Sequence, residues 1–271
     1  MADPTTRAPV PVRSRPPLLL AIPACGAMLF VLLPLAGLLV RTPWSSLAAR
    51  ISSHTVLQAL WLSLECSFGA LALSLVLGVP LAWLLARAEF PGKPVVRALV
   101  TLPLVLPPVA GGVALLLAFG RRGIAGGVLD AVGVSLPFTT AGAVLAEAFV
   151  ALPFLVLSVE GALSGLDQVH EEVAATLGAK PVRVFRTVTL PLVGPALASG
   201  AALAWARALG EFGATITFAG NLPGSTQTLP LAVYVTLQDD PDAAIALSLL
   251  LLAVSLAVLV LLRSRWLGAL R

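Results

Sequence analysis

Charged residues are scarce in this chain. Only 11% of its 271 residues are Asp, Glu, Lys or Arg, whereas 58% are hydrophobic and the mean hydropathy is +0.99. A water-soluble domain of this length needs many more charged groups, because most of its surface faces water. The composition therefore excludes a soluble globular protein and predicts an integral membrane protein.

Cysteine and histidine are also nearly absent, which limits the available chemistry. The chain has two of each, and Cys25 and Cys66 both fall inside apolar runs. These residues have no recognisable metal-binding spacing, and we expect the two cysteines to be buried thiols. The sequence therefore predicts no metal site.

Signals for nucleotide binding, nucleic-acid binding and catalysis are missing too. Gly92-Lys93 is followed by Pro94, so it does not match the Gly-rich phosphate loop that ends in Lys-Ser or Lys-Thr. No basic face with interleaved aromatic residues indicates a nucleic-acid partner. No zinc-enzyme pattern and no credible Ser/His/Asp set appears. We therefore predict no catalytic residue and no cofactor bound by this chain.

Long apolar runs are what the chain has in abundance. A hydrocarbon core about 30 Å thick is crossed by about 20 helical residues. The first run could instead belong to a cleaved signal peptide, but it is too long for a signal-peptide core. We predict an all-α membrane protein with a basic tail at 1–17 and one transmembrane domain at 18–271. Its six predicted spans are 18–40, 57–86, 98–119, 138–159, 193–218 and 243–264.

The third predicted span contains residues that interrupt helices. Pro103, Pro107 and Pro108 precede Gly111 and Gly112. A break inside a membrane is tolerated where the freed backbone groups are buried in protein or line a watery path. A packing kink and a wall of a translocation path both explain the pattern.

The basic residues indicate how the chain is oriented, since cytoplasmic loops carry an excess of Lys and Arg. With the N-terminus inside, twelve fall inside and four outside, which predicts that both termini are cytoplasmic. The inside set is Arg7, Arg13, Arg15, Arg87, Lys93, Arg97, Lys180, Arg183, Arg186, Arg263, Arg265 and Arg271, and the outside set is Arg41, Arg50, Arg121 and Arg122.

A polar segment, 160–192, separates the fourth and fifth predicted spans. Within it, residues 171–178 fit a short helix whose first turn holds two glutamates, where the helix dipole favours negative charge. Gly178 occupies the expected C-terminal cap. A second short helix is expected from Pro181, at its first position, to Thr189. By composition alone the segment is an ordinary cytoplasmic loop, but its residue pattern is more specific.

That pattern resembles a known one. Glu172-Val173-Ala174, then Gly178 and Leu190-Pro191, resemble the EAA loop in the permease subunits of bacterial ABC importers, with Val173 in place of the usual first Ala. The resemblance implies the MetI-like fold of six transmembrane helices. It also implies a coupling helix that docks into a cleft on a cytoplasmic ATPase. The residues that it assigns to coupling are Glu171, Glu172, Val173, Ala174, Ala175, Gly178, Leu190 and Pro191.

Charged side chains inside the predicted spans need a reason, because each costs on the order of 2.5–3.5 kcal/mol there. Arg207 and Glu211 are four residues apart, so they share a helix face and can pair. Glu147 is an alternative partner for Arg207. Stabilisation of the helix bundle and attraction of an anion along a path both explain these charges. With the donors that follow, the candidate path residues are Glu147, Arg207, Glu211, Thr215, Thr217 and Asn221.

The segment after Arg207 narrows the resemblance. Arg-Ala-Leu-Gly-Glu-Phe-Gly-Ala at 207–214, Phe-Ala-Gly-Asn at 218–221 and Thr-Gln-Thr-Leu-Pro-Leu at 226–231 are similar to the permeases of molybdate importers. Sulfate permeases share Gly-Glu-Phe-Gly but diverge after it. The likeness, from about residue 55 to the end, implies a homodimer in the cytoplasmic (inner) membrane. It also implies two ATPase copies that bind ATP and Mg, and an extracytoplasmic oxyanion-binding protein.

Other interpretations stay open at the level of sequence. Tungstate, sulfate or thiosulfate are alternative substrates, because the binding protein sets much of the selectivity. Intramembrane charges and broken helices also occur in self-contained channels and secondary transporters, although no inverted repeat between the halves is apparent. Co-purification of an ATPase distinguishes an importer subunit from both.

Overall fold

The computed structural model describes residues 18–269, with side chains for 19–258 and for Val260. Within that range every regular element is helical. The elements are α1 (Leu18–Arg41), α2 (Leu47–Ile51), α3 (His54–Arg87), α4 (Lys93–Val105), α5 (Pro108–Phe119), α6 (Gly126–Ala131), α7 (Thr140–Gly165), α8 (Val169–Thr176), α9 (Pro181–Val184), a π-helical turn (Phe185–Thr189), α10 (Leu190–Leu209), α11 (Gly213–Phe218), α12 (Leu229–Asp239) and α13 (Pro241–Ala269).

Helices of membrane-crossing length confirm the prediction of a helical, multi-pass membrane protein. In the described part of the chain, five helical stretches are long and apolar enough to cross a bilayer. They are Leu19–Arg41, His54–Arg87, Thr140–Gly165, Pro181–Leu209 and Pro241–Val258. The count of six spans and the cytoplasmic placement of the termini stay predictions. The predicted tail at 1–17 lies outside the described residues.

The first helix forms a unit of its own. The chain divides into a unit at Met1–Thr42 and a larger one at Pro43–Arg271. No side chain in the apolar window of α1 is buried among the described residues. At its C-terminal end the Thr42 hydroxyl donates a 2.7 Å hydrogen bond to the carbonyl of Leu38, which satisfies one terminal carbonyl group.

Two of the predicted spans are interrupted. The third divides into α4 and α5, because Pro107 and Pro108 end one helix and start the next. The fifth divides at Gly210, where α10 ends and the short α11 follows. The sequence did not predict this second interruption. The expected second helix of the polar segment is not separate either, since α9, the π turn and α10 form one helical stretch, Pro181–Leu209.

The core of the larger unit is formed by α3, α7 and α10. Half of the buried residues in its main cluster are alanines, which let helix backbones approach closely. Gly200 of α10 shows how tight this packing is. A Cβ at this glycine would lie 2.7 Å from the Cβ of Ser158 on α7. Small residues therefore set the α7–α10 separation.

Glycines also allow close packing between α5 and α11, the helices that follow the two interruptions. A Cβ at Gly112 of α5 would lie 2.6 Å from the Cβ of Thr217 on α11, and one at Gly213 would lie 2.8 Å from the Cβ of Pro108. The glycines noted in the third predicted span thus have a packing role. Close contact at both positions holds α5 and α11 together.

Candidate functional site

The polar segment between α7 and α10 contains the predicted coupling helix, and its end has the predicted cap. Helix α8 ends at Thr176, and Gly178 adopts φ +83°. The Gly178 N–H donates to the carbonyl of Ala175 (2.9 Å), and the Ala179 N–H donates to that of Ala174 (3.1 Å). These two bonds form a Schellman motif. The prediction of a glycine C-cap at Gly178 is confirmed.

The outer face of α8 is apolar and exposed. No side chain of this fully described helix is buried. Val169, Val173 and Leu177 follow one another at intervals of four residues, with exposed fractions of 51%, 53% and 84%. Residues four apart lie on one helix face. The segment therefore presents a continuous apolar stripe instead of the polar surface of an ordinary loop.

The opposite side of α8 carries a carboxylate that faces the helix bundle. The Oε1 atom of Glu171 accepts a 2.7 Å hydrogen bond from the hydroxyl of Thr189, in the π turn, and lies 3.3 Å from a guanidinium nitrogen of Arg87, at the end of α3. The same guanidinium lies 3.5 Å from the carbonyl oxygen of Leu166, just after α7. One carboxylate thus contacts two elements directly and a third through Arg87.

Beside this carboxylate is a groove of about 290 Å³ between the end of α3 and helices α8 and α9. Trp83 of α3 and Phe185 of the π turn line it together with Glu172 and Ala175. Leu190 and Pro191, predicted to belong to the coupling element, begin α10, and Pro191 occupies its first turn. The structure therefore places the predicted coupling residues in one continuous region at the end of the bundle.

A second ion pair lies at the same end of the helix bundle. Arg97 of α4 donates from Nε and from a terminal guanidinium nitrogen to one oxygen of Glu160, on the last turns of α7. Glu160 is only 6% exposed. Because this buried acid has a charged partner, α4 is fixed against the end of α7 next to α8.

Of the two candidate partners, Arg207 pairs with Glu211, although the two residues do not lie on the same helix. Helix α10 ends at Leu209, and Glu211 lies in the interruption before α11. Its Oε2 lies 2.7 Å from Arg207, and its Oε1 accepts a 2.8 Å hydrogen bond from the Ala214 N–H. Glu211 is 1% exposed and Arg207 29%. Glu211 thus caps α11 and neutralises Arg207.

Glu147 lies close to this pair but is not bonded to Arg207. It is buried on α7, and its Oε2 has no hydrogen-bond partner among the described residues. Its carboxylate interacts electrostatically with Glu211 and with the thiol of Cys66 on α3. Cys66 is buried, as predicted, whereas Cys25 is exposed within the described structure, contrary to the prediction.

The remaining candidate path residues differ in their environments. The buried Thr215 hydroxyl and Asn221 Oδ1 have no hydrogen-bond partner among the described residues. The Thr217 hydroxyl, in contrast, donates to the Gly213 carbonyl within its own helix (2.8 Å). Thr215 and Asn221 therefore retain unused hydrogen-bonding capacity, while that of Thr217 is partly used.

Two threonines of the hydroxyl-rich segment that follows are buried. Thr226 and Thr228 are 0% and 1% exposed. The Thr226 hydroxyl accepts the Leu222 N–H (2.9 Å), and the Leu229 N–H at the start of α12 donates to the hydroxyl of Ser63 on α3 (2.6 Å). The sequence did not predict α12, although Pro230 in its first turn is a typical start signal. These hydroxyls organise the start of α12.

An ion pair that sequence reasoning missed joins two distant segments. Arg50, at the end of α2, contacts Asp240, between α12 and α13, at 2.7 Å. The hydrogen bond from Arg50 holds the pKa of Asp240 below its usual value, and the Ala243 N–H adds to this effect. Pairing across 190 residues has no local sequence signal.

No cluster of three or more potential metal ligands occurs in the described part of the chain.

The fold is that of an ABC-transporter permease. The structure superposes with a TM-score of 0.73 on a chain of the crystal structure of a bacterial alginate ABC transporter in complex with an alginate pentasaccharide-bound periplasmic protein. The superposition covers 90% of this chain and 92% of that one, at 16% sequence identity. At this identity the likeness concerns the fold alone.

Sequence comparison identifies the family. Residues 78–270 match the family of binding-protein-dependent transport system inner membrane components, and the chain belongs to that family. It is 49% identical to the molybdenum transport system permease protein ModB of Mycobacterium tuberculosis, over 88% of this chain and 90% of that protein. The corresponding protein of Escherichia coli is 47% identical (78% and 93% covered), and the E. coli sulfate transport system permease protein CysT is 37% identical (85% of each covered).

Proposed function

We propose that this chain is the transmembrane permease subunit of an ATP-driven importer of molybdate. The observation that carries the proposal is the near-half identity, over most of both chains, to permeases named for molybdenum transport. Sulfate is the second candidate substrate, because a sulfate permease is also related, at lower identity. Both substrates are tetrahedral oxyanions, so one kind of path serves either.

The proposed topology has six spans with both termini in the cytoplasm and the chain in the inner membrane. The third span lies in α4 and α5, and the fifth lies in α10 and α11. Two copies of the chain enclose the path. The predominance of basic residues on the predicted inner side supports this orientation.

Coupling to ATP hydrolysis is proposed to occur at α8. The apolar stripe of Val169, Val173 and Leu177 has no covering element in the described structure, and it suits insertion into a cleft of a cytoplasmic ATPase. ATP and Mg bind to that partner, present in two copies, so the chain itself is a transport subunit and not an enzyme. An extracytoplasmic binding protein delivers the oxyanion.

Transport of the anion is proposed to use the region around Arg207. Its guanidinium is the cation that attracts an oxyanion, and Glu211 neutralises it when no anion is present. Thr215 and Asn221 supply unused polar groups.

The test is ATP hydrolysis in proteoliposomes that contain this chain and its ATPase, with binding protein added on the outer side. Stimulation by the molybdate-loaded binding protein, well above that by the sulfate-loaded one, is expected. Equal stimulation would leave an oxyanion importer without preference for molybdate. If no ATPase co-purifies with the chain, the importer proposal is wrong.

Two variants of α8 test coupling in the same preparation. Ala174→Arg alters the proposed docking region, and Gly178→Asp puts a side chain at φ +83°, which disfavours the cap. Both should separate ATP hydrolysis from uptake while the chain still inserts. Gly194→Ala is the matched control, since no described atom lies within 4 Å of a Cβ at that helical glycine. Full transport by both variants would contradict the role of α8.

A further inference from the structure

Helix α8 has a defined polar attachment to the bundle. It buries no side chain of its own, and its packing neighbours are the π turn and α9. A helix without buried side chains gains little from the hydrophobic effect, so its position depends on specific bonds. The best-defined of these is the contact of Glu171 with Thr189 and Arg87.

This contact is well shielded from water. Thr189 is 1% exposed, and the side chains of Arg87 and Glu171 are 8% and 20% exposed. A charge-assisted hydrogen bond in such surroundings is stronger than one at the surface. By comparison, the nearby pair of Glu89 and Lys93 leaves its carboxylate 88% exposed.

Both partners of Glu171 lie at the ends of long helices. Arg87 is the last residue of the 34-residue α3. Thr189 directly precedes α10, and Arg207 lies about 27 Å further along that helix at about 1.5 Å per residue. A displacement of α8 that acts through Glu171 therefore reaches the helix that ends at the Arg207–Glu211 pair.

We propose that Glu171 is a positioning residue that transmits movement of α8 to α3 and α10. The proposal rests on the proposed function, because it assumes that an ATPase moves α8. It assigns different roles to neighbouring residues. Val169, Val173 and Leu177 face the ATPase, whereas Glu171 faces the bundle and passes the displacement on.

The test measures ATP hydrolysis and molybdate uptake together in proteoliposomes of the full complex. Glu171→Ala should lower the uptake per ATP hydrolysed at least fivefold, while the ATPase still co-purifies. Glu171→Gln keeps an acceptor for Thr189 but loses the charge, so we expect a smaller decrease in the uptake per ATP. Because Gln has nearly the same size as Glu, this variant is a control for misfolding of Glu171→Ala. Glu89→Gln, which removes an exposed carboxylate outside this contact, should leave the ratio unchanged.

A double variant tests whether Glu171 and Thr189 act together. Thr189→Val should lower the uptake per ATP, and Glu171→Ala/Thr189→Val should be no worse than Glu171→Ala alone, because both changes remove the same bond. Independent, multiplicative effects would overturn the proposal. So would uptake and hydrolysis that fall in the same proportion.

Other outcomes separate this inference from the function on which it rests. If the ATPase no longer co-purifies with Glu171→Ala, Glu171 is a docking residue and the proposal is wrong. If the unmodified complex transports molybdate and all variants keep its ratio, only this inference fails. If the unmodified complex lacks uptake, the proposed function fails and this inference with it.

Discussion

At the scale of single residues, charge placement distinguishes this protein from a generic apolar bundle. Glu211 and Glu160 are almost fully buried, and each has an arginine partner. A buried charge without a partner is strongly destabilising, whereas a well-bonded pair is tolerated. Glu147 differs, since one of its oxygens has no described partner. These carboxylates therefore contribute unequally to stability.

Removal of Arg207 should destabilise the chain more than removal of the whole pair. Arg207→Ala leaves the buried Glu211 carboxylate with only the Ala214 N–H. We expect a loss of about 2–3 kcal/mol, toward the low end of values for broken buried pairs because Arg207 is 29% exposed. Adding Glu211→Gln should recover most of that loss. The measurement is unfolding by SDS titration in mixed micelles, and no recovery in the double variant would contradict the assignment.

The pair of Arg50 and Asp240 should make stability depend on acidity. The folded-state pKa of Asp240 lies below its unfolded value of about 3.9. Its contribution is therefore fully present above that pH and is lost as the pH falls through the folded-state pKa. Asp240→Asn should lower the melting temperature near pH 7, and its difference from the unmodified chain should shrink as the pH falls below about 4. Thermal melting in detergent over this range is the measurement.

The neighbouring Asp239 provides the control for this pH dependence. Its side chain is exposed and precedes the paired residue by one position. Asp239→Asn changes the net charge in the same way, without removing the contact with Arg50. If Asp239→Asn lowers the melting temperature as much as Asp240→Asn does, the effect comes from net charge and not from the ion pair.

At the scale of secondary-structure elements, close packing of α7 against α10 depends on Gly200. Gly200→Ala places a methyl group 2.7 Å from the Cβ of Ser158, so the helices must move apart. Overpacking of this kind costs about 1–3 kcal/mol. Ser158→Gly removes the opposing atom, so Gly200→Ala/Ser158→Gly should restore most of the stability in the same SDS titration.

A second glycine of α10 isolates the packing effect from helix propensity. Gly194→Ala meets no described atom within 4 Å, so it should be neutral or stabilise the chain by up to about 1 kcal/mol. If Gly200→Ala changes stability no more than Gly194→Ala does, the packing of α7 against α10 does not depend on the contact between Gly200 and Ser158.

At the scale of the whole molecule, the orientation in the membrane is open to a direct test. In a Cys25→Ala/Cys66→Ala background, a cysteine at Asp239 should react with a membrane-impermeant maleimide on intact cells. A cysteine at Glu89 should react only after permeabilisation, because that turn is predicted to be cytoplasmic. Both positions are exposed in the structure, so access depends on the side of the membrane. The reverse pattern would contradict the predicted topology.

Much of the architecture follows from local sequence. Long apolar runs can satisfy their backbone groups within a membrane only as helices, so α1, α3, α7 and α13 are encoded by composition and length. The end of α8 is similarly local, because few residues other than glycine accept the backbone conformation of Gly178. The EAA pattern could likewise indicate the family from the sequence, because all of its residues lie within one segment.

Several side-chain contacts were decided only in the tertiary structure. The break at Gly210 depends on Glu211, whose two oxygens bind Arg207 and the start of α11 at once. The choice of Glu211 over Glu147 as the partner of Arg207, and the meeting of Glu171 with Arg87 and Thr189, likewise depend on packing. Sequence shows which side chains can pair, but the pairing energy is realised only where helix packing brings the atoms within hydrogen-bond distance and excludes water.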